Sequence, residues 1–169
     1  MNATSANSNN FEQHQVPPDY LIQIGRVSVF WSTLESIFDL SLMKLAGMSI
    51  GDPRAWSIFA HMTFPLKLDI FGSLVTELQP KYPNLKELPS VIAKIKIAQQ
   101  GRNMIVHAKW GIDEQGRVVI SRITARGTIK TSVRAIPLSE VSDIVVHIEA
   151  AMKGLYEFVA VRGDKNPAY

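Results

Sequence analysis

Arg102-Asn103-Met104-Ile105-Val106-His107 closes a segment, Ser90–Lys109, whose apolar residues recur at helical spacing. At about 100° per residue, Arg102 falls on the stripe that carries Ile95, Ala98 and Val106. Asn103 and His107 are one turn apart and stack at the edge of that stripe. A cation on an apolar face is costly unless something pairs with it. A fixed guanidinium, an amide and an imidazole that can move protons near neutral pH together suit a phosphate group. The competing reading is that Arg102 ends the stripe and snorkels to water. Gly101, just before it, leaves room for another helix or a second protomer to approach closely, and a dimer seam is the preferred expectation.

Working outward, Asp19 is placed to cap a long helix running to Ala46 and ended by Gly47. Its inward stripe reads Ile24, Val27, Phe30/Trp31, Leu34, Ile37/Phe38, Ser41/Leu42 and Leu45. Glu35 borders this stripe. After the break at Gly51-Asp52-Pro53, a short helix is expected over Ala55–His61 and a longer one over Phe64–Leu78, with Lys67 on its inward side. Two cations and a carboxylate on converging faces predict that Glu35 pairs with Lys67 or Arg102. Pro80–Pro89 reads as a loop, after which Ser90 caps the helix that ends in the hexapeptide. The period then changes. Ile112–Val118 is a hairpin turning at Glu114–Gly116, and Val118–Thr124 and Thr128–Arg134 are strands joined near Arg126-Gly127. Ser139 is expected to cap the last helix, whose buried face is Val141, Ile144/Val145, Ile148, Met152, Leu155 and Phe158/Val159; His147 points away from it. The chain is therefore mainly α, with a small antiparallel sheet over about residues 110–136 inserted before the last helix. Residues 1–18, rich in Asn, Ser and Gln, read as a disordered tail, residues 19–162 as one domain and residues 163–169 as a frayed end.

The 169 residues contain no cysteine, which excludes disulfides, thiolate metal sites and cysteine nucleophiles. No apolar run reaches the length of a membrane span, and no secretory signal opens the chain. A cytoplasmic protein without membrane contact is expected. The formal charge of +3 is modest, but it is unevenly placed. Lys109, Arg117, Arg122, Arg126, Lys130 and Arg134 face only Asp113 and Glu114 within 109–136. That strip suits an RNA backbone, or else it protects a sheet face against edge pairing. Phosphate-binding Gly loops, nucleophile elbows and metal-ligand spacings are missing, so neither metal nor cofactor is expected.

The hexapeptide resembles the signature of the HEPN superfamily of helical ribonucleases: an arginine, four to six residues, then a histidine, with a polar residue straight after the arginine. Arg102, Asn103 and His107 match it. The surrounding order is similar too, with Trp31-Ser32-Thr33-Leu34-Glu35 in a first helix, Phe64-Pro65-Leu66-Lys67-Leu68 opening another, and Arg102 to Trp110 closing the third. The resemblance covers roughly residues 20–160. It implies an antiparallel four- or five-helix bundle that homodimerises so that two motifs face each other, and RNA cleavage without metal through the ribose 2′-OH. His107 would then be the general acid/base, Arg102 would stabilise phosphate charge, and Asn103 would position the backbone or the ring. Glu35 and Lys67 would orient these from behind. A toxin or defence nuclease with a cognate antitoxin fits this reading. The inserted sheet departs from the simplest bundle of the family. Two rivals stand beside the nuclease: a non-catalytic dimeric module of the same kind, binding RNA, a nucleotide or a protein, and a helical scaffold whose Arg102 is satisfied by Glu35 alone.

Overall fold

Helix-forming periodicity and proline placement set the frame. The computed structural model describes residues 16–160, and for residues 124–126 and 160 the backbone alone. The expected tail and frayed end therefore lie outside the described residues, apart from residues 16–18. Of those three, Val16 is buried and Pro18 is the first residue of α1 (Pro18–Leu45). Proline suits that position because the first helical N–H has no intrahelical acceptor anyway. Asp19 sits inside the first turn rather than capping it, where its charge still favours the positive end of the helix. Gly47 ends the segment with φ at 71°.

Asp52 caps α2 (Pro53–Phe59), its Oδ1 accepting from the Arg54 N–H at 2.9 Å. Helix α3 spans Phe64–Leu78, the expected bounds. The proline loop contains a 3-10 turn over Pro83–Glu87, and α4 (Leu88–Val106) follows it directly. Ser90 is therefore inside α4 and is no cap; its hydroxyl donates back to the Glu87 carbonyl at 2.8 Å. Strands β1 (Lys109–Ile112), β2 (Val118–Arg126) and β3 (Thr128–Ala135) form an antiparallel sheet in the order β1-β2-β3. Lys109, expected as the last residue of the motif helix, instead opens β1. Helix α5 (Leu138–Ala160) completes the described chain, so Ser139 lies in its first turn.

Helix α5 packs along both α1 and α4. The α4–α5 seam is antiparallel and reciprocally notched. A Cβ on Gly101 would stand 2.9 Å from Ile144 Cγ1, and one on Gly154 would stand 2.8 Å from Val91 Cγ2. The close approach foreseen at Gly101 is thus made by a helix of the same chain. Helices α1 and α5 run in the same direction, with Tyr20 against Ile136, Arg26 near Glu149 and Lys44 against Val159. The bundle is therefore antiparallel at α4–α5 and parallel at α1–α5. Its core continues through Phe38, Phe71, Leu34, Ile95, Ile105, Ile148 and Leu155, all fully buried. No single helix among the described residues is long and apolar enough to cross a membrane.

Candidate functional site

The hexapeptide occupies the last turn of α4 and the residue that ends it. Val91, Ile95, Ala98 and Ile105 form the buried stripe, while Val106 is exposed, because the inward face has rotated onto Ile105 where the helix stops. His107 follows as the helix C-cap with φ −100° and ψ 4°, its N–H reaching the Asn103 carbonyl at 3.4 Å. The turn is pinned by Trp110, whose indole N–H donates to the Ile105 carbonyl at 3.1 Å. That carbonyl is one of the unpaired acceptors at a helix end. Trp110 in turn meets the Tyr20 ring edge-on at 6.2 Å between centroids.

Arg102, Asn103 and His107 converge. Arg102 Nη1 donates to Asn103 Oδ1 at 3.0 Å and lies 3.4 Å from His107 Nε2. A guanidinium has no acceptor, so this contact exists only when Nε2 carries its lone pair and the ring proton is on Nδ1. The guanidinium carbon lies 5.7 Å from the centre of the Trp31 ring, which is buried and edge-on to Phe64 at 4.8 Å. Stacking then continues from Phe64 to Phe38 and Phe71. A cation on an apolar face is thus accommodated by the negative face of an aromatic ring. Arg102 Nε is buried, and among the described residues neither Nε nor Nη2 has a hydrogen-bond partner.

The expected carboxylate network is rearranged. Lys67 is buried and donates to Asp39 at 2.7 and 2.8 Å, not to Glu35. Asp39 is one turn beyond Glu35 on the same side of α1, and only the packing of α3 decides which of the two meets the ammonium. Glu35 is half-buried and makes no hydrogen bond or ion pair among the described residues. Neither Lys67 nor Glu35 is bonded to the motif, so the support for Arg102 comes from Trp31, and that for the His107 turn from Trp110. Both tryptophans were visible as aromatic residues on or beside the helices; nothing in the spacing marked them as neighbours of the motif.

The basic strip also divides. Arg117 pairs with Asp113 at 2.8 Å, within a turn where Asp113 Oδ1 accepts from the N–H groups of Gln115 and Arg117. Arg134 is held in a two-pronged contact by Glu140, at 2.8 Å through Nη1, and its Nη2 reaches Met104 Sδ of the motif helix at 2.9 Å. Hydrogen bonds from Arg134, opposed by burial, hold the Glu140 carboxyl below its ordinary pKa. Register places Arg122, Lys130 and Arg134 on one face of the sheet and Lys109 on the other. Arg122, Lys130 and Lys109 are exposed without an ion-pair partner among the described residues; the Arg126 side chain lies outside them.

Beside the motif, an open and mainly apolar groove of about 700 Å³ runs between the start of α1 and the chain leaving α4, lined by Leu21, Ile24, Val106, Ala108 and Trp110. Among the described residues, no group of three His, Asp or Glu side chains could hold a metal ion. Comparison with known family models, curated proteins and solved structures finds no match to this chain.

Proposed function

We propose that this chain is a metal-independent endoribonuclease of the HEPN type, acting in the cytoplasm as a homodimer whose two motifs form one site, in a toxin or defence role that calls for a cognate antitoxin. One observation carries the reading: the convergence of Arg102, Asn103 and His107 Nε2 at an exposed helix end, with Arg102 donors left unbonded. An unprotonated ring nitrogen can take the proton of a ribose 2′-OH. The oxygen then attacks the adjacent phosphorus, the P–O5′ bond breaks, and the leaving 5′ oxygen receives a proton from His107 of the partner subunit, which must enter the step as the doubly protonated imidazolium while the first ring enters it neutral. The products are a 2′,3′-cyclic phosphate and a 5′-OH. Arg102, with its guanidinium 5.7 Å from the centre of the Trp31 ring, stabilises the charge that accumulates on the phosphate oxygens. Asn103 fixes the guanidinium, and Arg122 and Lys130 are free to contact flanking phosphates, while Arg117 and Arg134 are engaged with carboxylates.

Incubating mixed RNA with the purified protein in EDTA, beside His107→Ala and Arg102→Ala, tests this. Cleavage that leaves 2′,3′-cyclic ends and vanishes in both variants is the expected result. Cleavage that persists in both assigns the activity to another site. A second reading, a non-catalytic module of the same kind, is favoured by the apolar groove beside the motif, whose lining offers shape and few chemical groups. It predicts that RNA, a nucleotide or a protein binds without being cleaved, and that Arg102→Ala weakens that binding.

A further inference from the structure

The apolar groove beside the motif has a cation at each end. The chain leaving α4 runs antiparallel to α1 along it: Trp31 meets Arg102 at one end, and Tyr20 meets Trp110 at the other. Tyr20 and Trp31 are eleven residues apart on one helix, so these two contacts bound a length of about 16 Å. On the α1 wall, Leu21, Ile24 and Ser28 recur at helical spacing and lead to Trp31. On the facing wall, Ile105 and Val106 stand one turn beyond Arg102. Both walls therefore run into the Arg102–Trp31 contact. Lys109 lines the groove beside Trp110, on the side of the sheet away from Arg122, Lys130 and Arg134.

The lining is chemically plain. Leu21, Ile24, Val106 and Ala108 are aliphatic, Trp110 supplies an aromatic ring, and no carboxylate lies among them. Apart from Lys109, its side-chain donors are already used: the Ser28 hydroxyl on the Ile24 carbonyl at 3.0 Å, the Trp110 indole on the Ile105 carbonyl. Leu21 is 51% exposed and Val106 38%, so apolar surface stands open next to Arg102, whose Nε is buried without a partner. An acyl chain has one charged end and would leave the second cation unmatched. An apolar trough between two cations instead repeats the pattern of a single nucleic-acid strand, in which bases alternate with phosphates.

We propose that this groove is the base subsite of the motif. The inference rests on the reading of the motif as a site for an RNA phosphate, and it holds whether or not that phosphate is cleaved. One phosphate sits on Arg102. The bases of the adjoining nucleotides lie along the groove, first between Ile24 and Val106, then against Leu21 and Trp110, and Lys109 takes the phosphate beyond them. Leu21 and Ile24 thereby become specificity-determining residues on a helix that carries none of the motif. Walls whose side-chain donors are used select by contact area and stacking, not by hydrogen bonds to base edges. Purines are therefore preferred to pyrimidines, with adenine and guanine treated alike.

Fluorescence anisotropy of short 2′-O-methyl oligoribonucleotides on the full chain, at fixed salt, tests this. The methylated strand has no 2′-OH nucleophile, so binding is read without cleavage. An adenine strand should bind about tenfold more tightly than an abasic strand with the same phosphates. Leu21→Ala should narrow that gap to about threefold with circular dichroism unchanged, since Leu21 is half exposed. Lys109→Ala should weaken both strands alike and leave the gap in place. A strand carrying photoreactive 5-iodouracil should attach to Trp110 and not to the exposed Trp56. Equal binding of the two strands, a gap untouched by Leu21→Ala, or attachment at Trp56 overturns the proposal. The two readings fail separately. Base-dependent binding with natural RNA left intact upholds the groove and removes the nuclease, whereas cleavage of natural RNA without base-dependent binding removes the groove alone. Binding of neither strand overturns the groove together with the RNA reading.

Discussion

Replacing Gly101 by alanine tests what holds the motif helix in place. In an isolated helix the substitution is favourable by about 1 kcal/mol. Here the added methyl would stand 2.9 Å from Ile144 Cγ1 and 3.1 Å from Cγ2. Ile144 is buried and β-branched, with few rotamers to escape into. Overpacking of this kind costs about 2–3 kcal/mol. The net expectation is destabilisation by about 1–2 kcal/mol. Ile144→Ala alone costs about 2–4 kcal/mol, since it removes buried carbons and leaves a cavity. In the double variant the alanine methyl enters the space vacated by both γ-carbons, because the nearest remaining atom, Ile144 Cβ, lies at an ordinary 3.5 Å. The two changes should therefore couple favourably by about 1–3 kcal/mol. Urea unfolding of the four proteins measures this, and the coupling should not depend on protein concentration, because α5 of the same chain is the wall. Additive effects with a stabilising Gly101→Ala would refute the close approach. A coupling that appears only at concentrations where dimers form would place the wall on another protomer. The consequence reaches the site, since Gly101 directly precedes Arg102 and the notch fixes the rotation of α4 that aims the guanidinium at Trp31.

Lys67→Ala leaves Asp39 with its side chain only 17% exposed and no cation beside it; a loss of about 3 kcal/mol at neutral pH is expected by thermal or urea unfolding, and the Lys67→Met, Asp39→Leu double variant should recover most of it. The Arg134–Glu140 pair gives a pH dependence of defined sign. Glu140 has its pKa lowered in the folded state, so its contribution is present above the ordinary glutamate value of 4.5 and is lost as pH falls through the depressed folded value. Wild type should exceed Glu140→Gln in stability by under about 1 kcal/mol at neutral pH, a figure reduced for the partial exposure of both side chains, and the two unfolding curves should merge in acid.

Periodicity, read together with caps and proline or glycine breaks, located every α-helix of the described chain to within a few residues, and α3 to its ends. It did so because a face that must be buried repeats every 3.6 residues whatever it is buried against. The hairpin turn was legible for a related reason: Asp113 and Gly116 carry the turn chemistry locally, with φ at 75° at Gly116. Ser90 misled because serine near a helix start suggests a cap, yet proline at position 89 already suited the first turn and the serine hydroxyl bonded backward.

The hexapeptide and the stacking of Asn103 with His107 were legible in the sequence, since residues four apart are neighbours on a helix; that Arg102 reaches both of them is shown only by the folded chain, where His107 ends α4 as its C-cap. Which groups surround them was not legible. Glu35 and Asp39 are both plausible partners of Lys67 on a helical wheel, and only the packing of α3 on α1 assigns the cation to Asp39. The basic residues at 109–136 were countable, but strand register divides them between two faces and carboxylates engage two of them. Trp31 beneath Arg102 is 71 positions away in the chain, and a contact at that separation exists only once α1 and α4 have packed. Local sequence decides the elements because their hydrogen bonds and faces are short-range; the tertiary structure decides the partners of each charge because those come from elements distant along the chain.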